Sequence, residues 1–574
     1  MESSLSIPKR PERSFLPEEF KITTWQKLQP HLERLLQMAI DDVSALKKWM
    51  KHRSELESVI AEDMGWRYIR MTCFTDNAEY RKDYQDFVEN IQPHIAPYTD
   101  LLNRKLADSP QATQLTQGEE YKILLRNIRK EIELFRESNI PLFTEINTLT
   151  QRYGQITGTM TVTVDGKELT LQQAAVLLMD TDRGRRQEIY HKITTRRLQD
   201  KEELDDLFSH LIRLRDRVSA NAGFKNFRDY MFKAYGRFDY TTEDCFRFHT
   251  AIEEEVVPLV NDIARDRKAR LGVESLRPWD KAVDPEGRSP LRAFAHGKDL
   301  VEKAIACFNR IDPYLGRCLE TMKAMDRLDM DSRKGKAPGG YNYPLPETGV
   351  PFIFMNATST LRDMVTLMHE GGHAVHNFLT SDLPLQDFKS PPMEVAELAS
   401  MAMELISMDH WDIFFPDEQD LRRAKLEHLE DILETLPWVA TIDKFQHWIY
   451  ENPNHTTDER KQHWNRIADR FGDRVTDWDG LQEGRDYLWQ KQLHLYEVPF
   501  YYIEYGMAQL GAIAVWRNYR ANPRRGLKGY KEALKLGYTK SIPAIYAAAG
   551  IEFNFSKAYI KELMAFVKDE IGKI

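Results

Sequence analysis

The chain has 574 residues, 42% of them apolar and 29% charged, which is the balance of an ordinary folded protein rather than a disordered or membrane-embedded one. That length exceeds what a single hydrophobic core usually organises, so at least two lobes are expected. The net charge of −9 is small for this size and calls for neither nucleic acid nor an anionic membrane as partner. The N-terminal stretch MESSLSIPKRPERSF has no apolar core of a secretory signal, and no apolar run approaches the length that spans a bilayer. Cys73, Cys245, Cys307 and Cys318 lack CxxC spacing and read as buried or incidental thiols rather than a disulfide framework or a zinc knuckle. Together these features predict a cytoplasmic protein. On that reading the Asn356 and Asn454 glycosylation-like triplets are chance matches.

From Lys21 to about Ile156 the chain is a series of amphipathic segments broken at Pro30, Pro93, Pro97 and Pro110, and the spacing predicts helices. Thr159 to Leu171, TMTVTVDGKELTL, alternates instead and predicts a hairpin turning at Asp165-Gly166, where both residues must tolerate positive φ. Arg196 to Asp206 reads as an exposed helix face, and a division into helical lobes 1–200 and 201–574 is expected. Gly339 to Asn356, GGYNYPLPETGVPFIFMN, sets two aromatic-rich runs around a Pro/Gly turn. Pro344, Pro346 and Pro351 cannot donate to a ladder, so this predicts a small edge hairpin rather than a central sheet. The basic cluster Arg524, Arg525, Lys528 and Lys531 reads as a solvated helix face.

His369-Glu370-Gly371-Gly372-His373 is an HExxH pattern following helically spaced Leu361, Met364, Val365 and Met368, with Ser359 or Thr360 as the cap. Residues four apart on a helix differ by about 40° in azimuth, so both imidazoles can share one ion. Glu370, beside the first imidazole, can reach a water at that ion without being a ligand. Two glycines inside a helix cost about 1 kcal/mol each relative to alanine, which points to close approach by another backbone or a substrate. A second helix begins at Pro391-Pro392 and carries Glu394, Glu397 and Glu404 within about 80° of one another. Carboxylates on so apolar a helix are costly to bury unless a cation neutralises them. Two histidines, one carboxylate and an open position form the catalytic zinc arrangement. His376 does not continue a three-histidine pattern and reads as a core or supporting residue.

With these residues in place, the chain resembles the oligoendopeptidase F and thimet oligopeptidase family of zinc metallopeptidases, most closely its Pz-peptidase branch. The likeness runs through YIRMTCFTDN (Tyr68 to Asn77), the segment from Ala337 to His376, PPMEVAELASMAME (Pro391 to Glu404) and HLYEVPFYYIEYGMAQLGA (His494 to Ala512). It implies a mainly α, two-lobed metallopeptidase with a deep central channel and small β-hairpins near the active site. The implied metal ligands are His369, His373 and Glu397, with Glu394 as the alternative third ligand, and one zinc ion per chain is implied. Cobalt or manganese could occupy the same set. Tyr502 and Tyr505 match the family's tyrosine-rich segment. On composition alone each would be core packing; the resemblance makes them oxyanion donors. Where some relatives carry a histidine before this segment, the chain has Pro499, and His494 is the nearest histidine.

The expected function is zinc-dependent hydrolysis of internal bonds in short unstructured peptides, with Glu370 as the base. The alternatives are a helical zinc carboxypeptidase and a non-catalytic peptide-binding protein. Intact Glu370 argues against the second, because a pure binder has no need of a base.

Overall fold

A computed structural model of the chain describes residues 7–574; the first six residues of the N-terminal stretch lie outside them. As expected, helices dominate, joined by one two-stranded and one three-stranded sheet among the described residues. Among those residues no helix is long and apolar enough to cross a membrane. All four cysteines are buried, and no disulfide joins any of them.

The residues cluster into two compact units, each assembled from three chain segments. Among the described residues the first comprises 7–140, 292–421 and 508–553; the second comprises 141–291, 422–507 and 554–574. Residue 200, the expected boundary, falls inside the second unit. Local periodicity reveals helices, but it does not reveal which distant helices share a core.

The first unit's core packs Leu28, Leu32 and Leu35 against Trp49 and Leu56 of the Val43–Cys73 helix, with Leu124, Ile128, Leu385 and Phe388 closing it. The far end of that helix supports a three-stranded sheet of order β3-β5-β4: β3 is Leu328–Asp331, β4 Tyr341–Tyr343 and β5 Phe352–Ala357. β4 and β5 pair antiparallel, as the hairpin reading expects. The sheet nevertheless departs from an edge hairpin. β5 is central, pairs in parallel with β3 and is buried along most of its length. The three prolines lie outside the strands, so they cost the ladder no donor. The Tyr68 to Asn77 phrase anchors this sheet. Thr72 Oγ1 lies 2.6 Å from Tyr341 Oη, Ala337 N donates to Thr72 O at 2.8 Å, and the Tyr68 ring leans on Tyr341 and Tyr343.

In the second unit, β1 (Thr161–Val164) and β2 (Lys167–Thr170) form the expected antiparallel hairpin. Asp165 and Gly166 hold φ of 51° and 74°, the pair of left-handed residues such a turn demands. Most of the long Glu418–Glu451 helix lies in this unit, where it buries Leu436, Ile442, Phe445 and Ile449. Arg215, also buried, donates to Tyr450 Oη at 2.9 Å, to Leu495 O at 3.0 Å and to Tyr496 O. One guanidinium thereby ties three segments through groups that would otherwise be buried unpaired.

Candidate metal centre

The HExxH sequence lies in the Leu361–Thr380 helix. Thr360 caps it: its hydroxyl accepts from Asp363 N at 3.2 Å while Asp363 Oδ2 accepts from Thr360 N at 3.0 Å, a reciprocal capping box. The Met393–Ser407 helix begins after Pro392 and packs beside it. The two glycines explain how close that packing is. A Cβ on Gly372 would stand 2.6 Å from Ser400 Cα and 2.7 Å from Ala399 O; one on Gly371 would stand 2.7 Å from the Phe308 ring. The neighbouring backbone therefore occupies the space a side chain would need. Tyr530 Oη also donates to Ala399 O at 2.6 Å, fixing the carbonyl at the crossing.

This approach brings three candidate ligands together. A ring nitrogen of His369, one of His373 and a carboxylate oxygen of Glu397 all lie within 4.8 Å of one another. Glu397 Oε2 is 3.3 Å from His369 Nε2 and 3.7 Å from His373 Nε2. The imidazoles stand nearly perpendicular, with centroids 4.9 Å apart. Glu404, two turns beyond Glu397, accepts from His369 Nδ1 at 2.6 Å. That bond holds a ring proton on Nδ1 and leaves Nε2, which faces Glu397 and His373, as the atom that would ligate a metal, as supporting carboxylates of metal-bound histidines do. A ring N–H of His373 is likewise engaged by the Ala396 backbone. Ser400 Oγ lies 3.0 Å from Glu397 O and 3.3 Å from its Oε2. Two oriented imidazoles and one carboxylate form a donor set that fits zinc.

The electrostatics agree with a site built around a positive charge. Burial alone would lower His369, yet its bonds to Glu397 and Glu404 raise it well above the usual histidine value, so a proton substitutes for a cation there. Burial lowers His373 to about 4. Burial raises the Glu370 carboxyl to about 7, against the opposing pull of His369 and of a backbone hydrogen bond from Asn342 in β4.

The other expected residues divide. Glu394 is buried on the same helix but is not among the converging ligands; its backbone oxygen accepts from Tyr546 Oη at 3.2 Å. His376 is a core residue bonded to the Leu534 backbone, with burial pressing it down to about 3. In the second unit, His494, Tyr502 and Tyr505 form a cluster of their own. His494 Nδ1 accepts from Gln492 Nε2 at 2.7 Å, and His494 Nε2 lies 3.3 Å from Tyr505 Oη. The rings of Tyr501, Tyr502 and Tyr505 surround that imidazole at 4.9–6.0 Å. The segment entering this cluster is strained: Phe500 holds φ of 67° in the left-handed region. Gln446 Oε1 accepts from Phe500 N at 2.6 Å, and Arg237 donates to Phe500 O and, at 2.8 Å, to Glu504.

The sequence placed Glu404 on the same side of its helix as Glu397 but assigned it no role; the structure makes it the acceptor for His369 Nδ1. The Asn342 backbone donor left no signal, because any residue but proline supplies an N–H.

The pattern of peptidase family M3 matches residues 176–289 and 319–565, and that of the peptidase M3 N-terminal domain matches 15–135. The chain belongs to peptidase family M3. It is 24% identical over 333 residues to an oligoendopeptidase F homolog of Borreliella burgdorferi, covering 56% of this chain and 54% of that protein. It is 22% identical over 320 residues to an oligoendopeptidase F homolog of Lactococcus lactis subsp. lactis, covering 55% and 52%. The matched region thus spans about half the length of these curated relatives. Two solved structures are similar over nearly their whole length. A Pz peptidase A with inhibitor has a TM-score of 0.91 and 27% identity, covering 97% of this chain and 99% of its own. An oligoendopeptidase F has a TM-score of 0.91 and 25% identity, covering 97% and 98%.

Proposed function

We propose that this chain is a zinc-dependent oligoendopeptidase that hydrolyses internal bonds of short, unstructured peptides. The observation that carries the reading is the convergence of His369, His373 and Glu397 on one point, with Glu370 beside them and Glu404 orienting His369. Structural zinc sites usually close with cysteines; this set leaves a position open, as hydrolytic sites do. A zinc ion held there supplies Lewis acidity, polarising a peptide carbonyl and easing the deprotonation of water near neutral pH.

The chain's own residues do the rest. Glu370, lifted to about 7 by burial and held by the Asn342 N–H, accepts the proton of the attacking water and returns it to the leaving amine. β4 is an edge strand, and an extended peptide can add to such an edge through main-chain bonds. Tyr502 and Tyr505, with His494, donate to the developing oxyanion. The hydrogen-bond order supports Tyr505: Gln492 occupies His494 Nδ1, so the Nε2 proton points at Tyr505 Oη and the phenol proton is directed elsewhere. Short peptides of ordinary composition are the partners; neither nucleic acid nor membrane is required.

Glu370→Gln tests the reading. It should keep fold and metal while losing about 10²–10⁴-fold in turnover. Mass spectrometry of peptide digests by the wild type should show internal cuts. One-residue trimming from C-termini would replace the proposal with a carboxypeptidase, and substantial turnover by Glu370→Gln would remove Glu370 as the base.

A further inference from the structure

A second group of side chains with metal-ligating chemistry lies inside the second unit. The Thr242–Glu255 helix carries Cys245 and His249 four residues apart, and the Glu418–Glu451 helix carries Asp443 and His447 at the same spacing. Residues four apart share a helix face, and facing helices that each contribute such a pair are how helical proteins build interior metal sites. All four side chains are buried, at 0–2% exposure. A thiol sulfur of Cys245, a carboxylate oxygen of Asp443 and a ring nitrogen of His447 lie within 4.8 Å of one another.

We propose that Cys245, Asp443 and His447 bind a structural divalent ion of the zinc class, with His249 holding the Asp443 carboxylate in place.

Donor separations around tetrahedral zinc, with bonds of about 2.0–2.3 Å, are about 3.3–3.7 Å. His447 Nε2 is already 3.2 Å from Asp443 Oδ2, while His249 Nε2 is within hydrogen-bond distance of the same oxygen at 2.8 Å. Those contacts leave polar capacity unused. Asp443 Oδ1 and the Nδ1 atoms of His447 and His249 make no hydrogen bond. Water is poorly placed to serve them, because aromatic rings wall the group. Phe246, Phe500 and Phe232 lie 4.8, 5.5 and 5.9 Å from the His447 ring, and Phe471 lies 6.4 Å from His249. Buried polar atoms without partners are rare and call for a reason. Charge supplies one. A thiolate and a carboxylate carry two negative charges, which one divalent cation neutralises inside an apolar cage. Sulfur and imidazole donors favour zinc over magnesium or calcium. Full burial makes the role structural, joining two long helices of the second unit.

The inference is independent of the reaction proposed above, and its test reads a signal the HExxH site cannot give. That site has no sulfur donor, so thiolate-to-cobalt charge-transfer absorption reports Cys245 alone. Full-length protein, stripped of metal and titrated with Co²⁺, should develop this band and saturate it by two equivalents per chain, one for each site. The band should survive in Glu397→Ala and vanish in Cys245→Ala, and Cys245→Ala should also lose part of the rise in Tm that metal gives the wild type. Absence of the band in wild-type protein at saturating cobalt would overturn the proposal and leave a proton-sharing His249–Asp443–His447 group. Persistence of the band in Cys245→Ala would overturn it too. The wild-type titration decides the matter even if a variant fails to fold.

Discussion

Gly372→Ala probes the packing that assembles the candidate centre. The added Cβ would stand 2.6 Å from Ser400 Cα, 2.7 Å from Ala399 O and 3.0 Å from Met403 Cβ. Carbon contacts settle at about 3.5–4.0 Å, so the Met393–Ser407 helix must retreat by about 1 Å. None of the three atoms can swing aside, since two are backbone and the third is a Cβ. Alanine returns about 1 kcal/mol of helix propensity. Overpacking a rigid contact costs about 1–3 kcal/mol, so the net loss of stability is modest, at most about 2 kcal/mol. Metal binding should suffer more. Glu397 and Glu404 ride on the retreating helix, and disturbing ligand and orienting carboxylate together should weaken affinity about 10–100-fold. Chelator competition and a thermal scan on the same preparation measure both quantities. Gly371→Ala is the comparison: its Cβ would meet the Phe308 ring at 2.7 Å, and Phe308 lies on a helix that carries no ligand. It should lose stability yet keep most of its metal affinity. A Gly372→Ala protein more stable than wild type and equal in metal affinity would refute the reasoning.

Glu404→Ala should leave the fold intact and weaken metal binding about 10–100-fold, because His369 loses the acceptor that fixes its ring; equal affinity by competition would contradict that role. Tyr505→Phe should slow kcat by an amount equivalent to about 2.7–4 kcal/mol of barrier with little change in Tm, and the reverse pattern would return Tyr505 to core packing. Asp329 in β3 gives a pH signature. Burial would raise it, but bonds from Arg333 and Lys336 outweigh burial and hold it at about 2. The folded value lies below the unfolded one, so its stabilisation is complete above about pH 4 and is lost as pH falls towards 2. Asp329→Asn should flatten the acid limb of stability by about 1–2 kcal/mol, the side chain being 21% exposed and its charge partly screened. An unchanged acid limb would assign that loss to other carboxylates.

Much of the candidate centre could be read from the amino-acid order because its residues lie on two helices close in sequence. HExxH has helical spacing within five residues, and Glu397 and Glu404 follow on the next long helix. The Asp165-Gly166 hairpin was equally legible, because its turn demands residues that accept positive φ. What escaped the reading depends on distant partners. β3, Leu-Asp-Met-Asp, is too short and too charged to announce a strand, and it exists because it pairs in parallel with β5. The interleaving of the two units follows from which helices share a core, and periodicity within one helix carries no record of that. Cys245 looked incidental because its companions sit four residues along its own helix and about two hundred residues away. Only folding brings a CxxxH pair against a DxxxH pair.

Peptide cleavage followed through chelation and zinc return, in wild type and Glu397→Ala together, tests the central claim most directly. The wild type should lose cleavage as its metal is withdrawn and regain it when zinc is restored, while Glu397→Ala stays inactive at the same zinc concentration. Full-speed cleavage by metal-free wild-type protein, or normal zinc-restored activity in Glu397→Ala, would contradict the account.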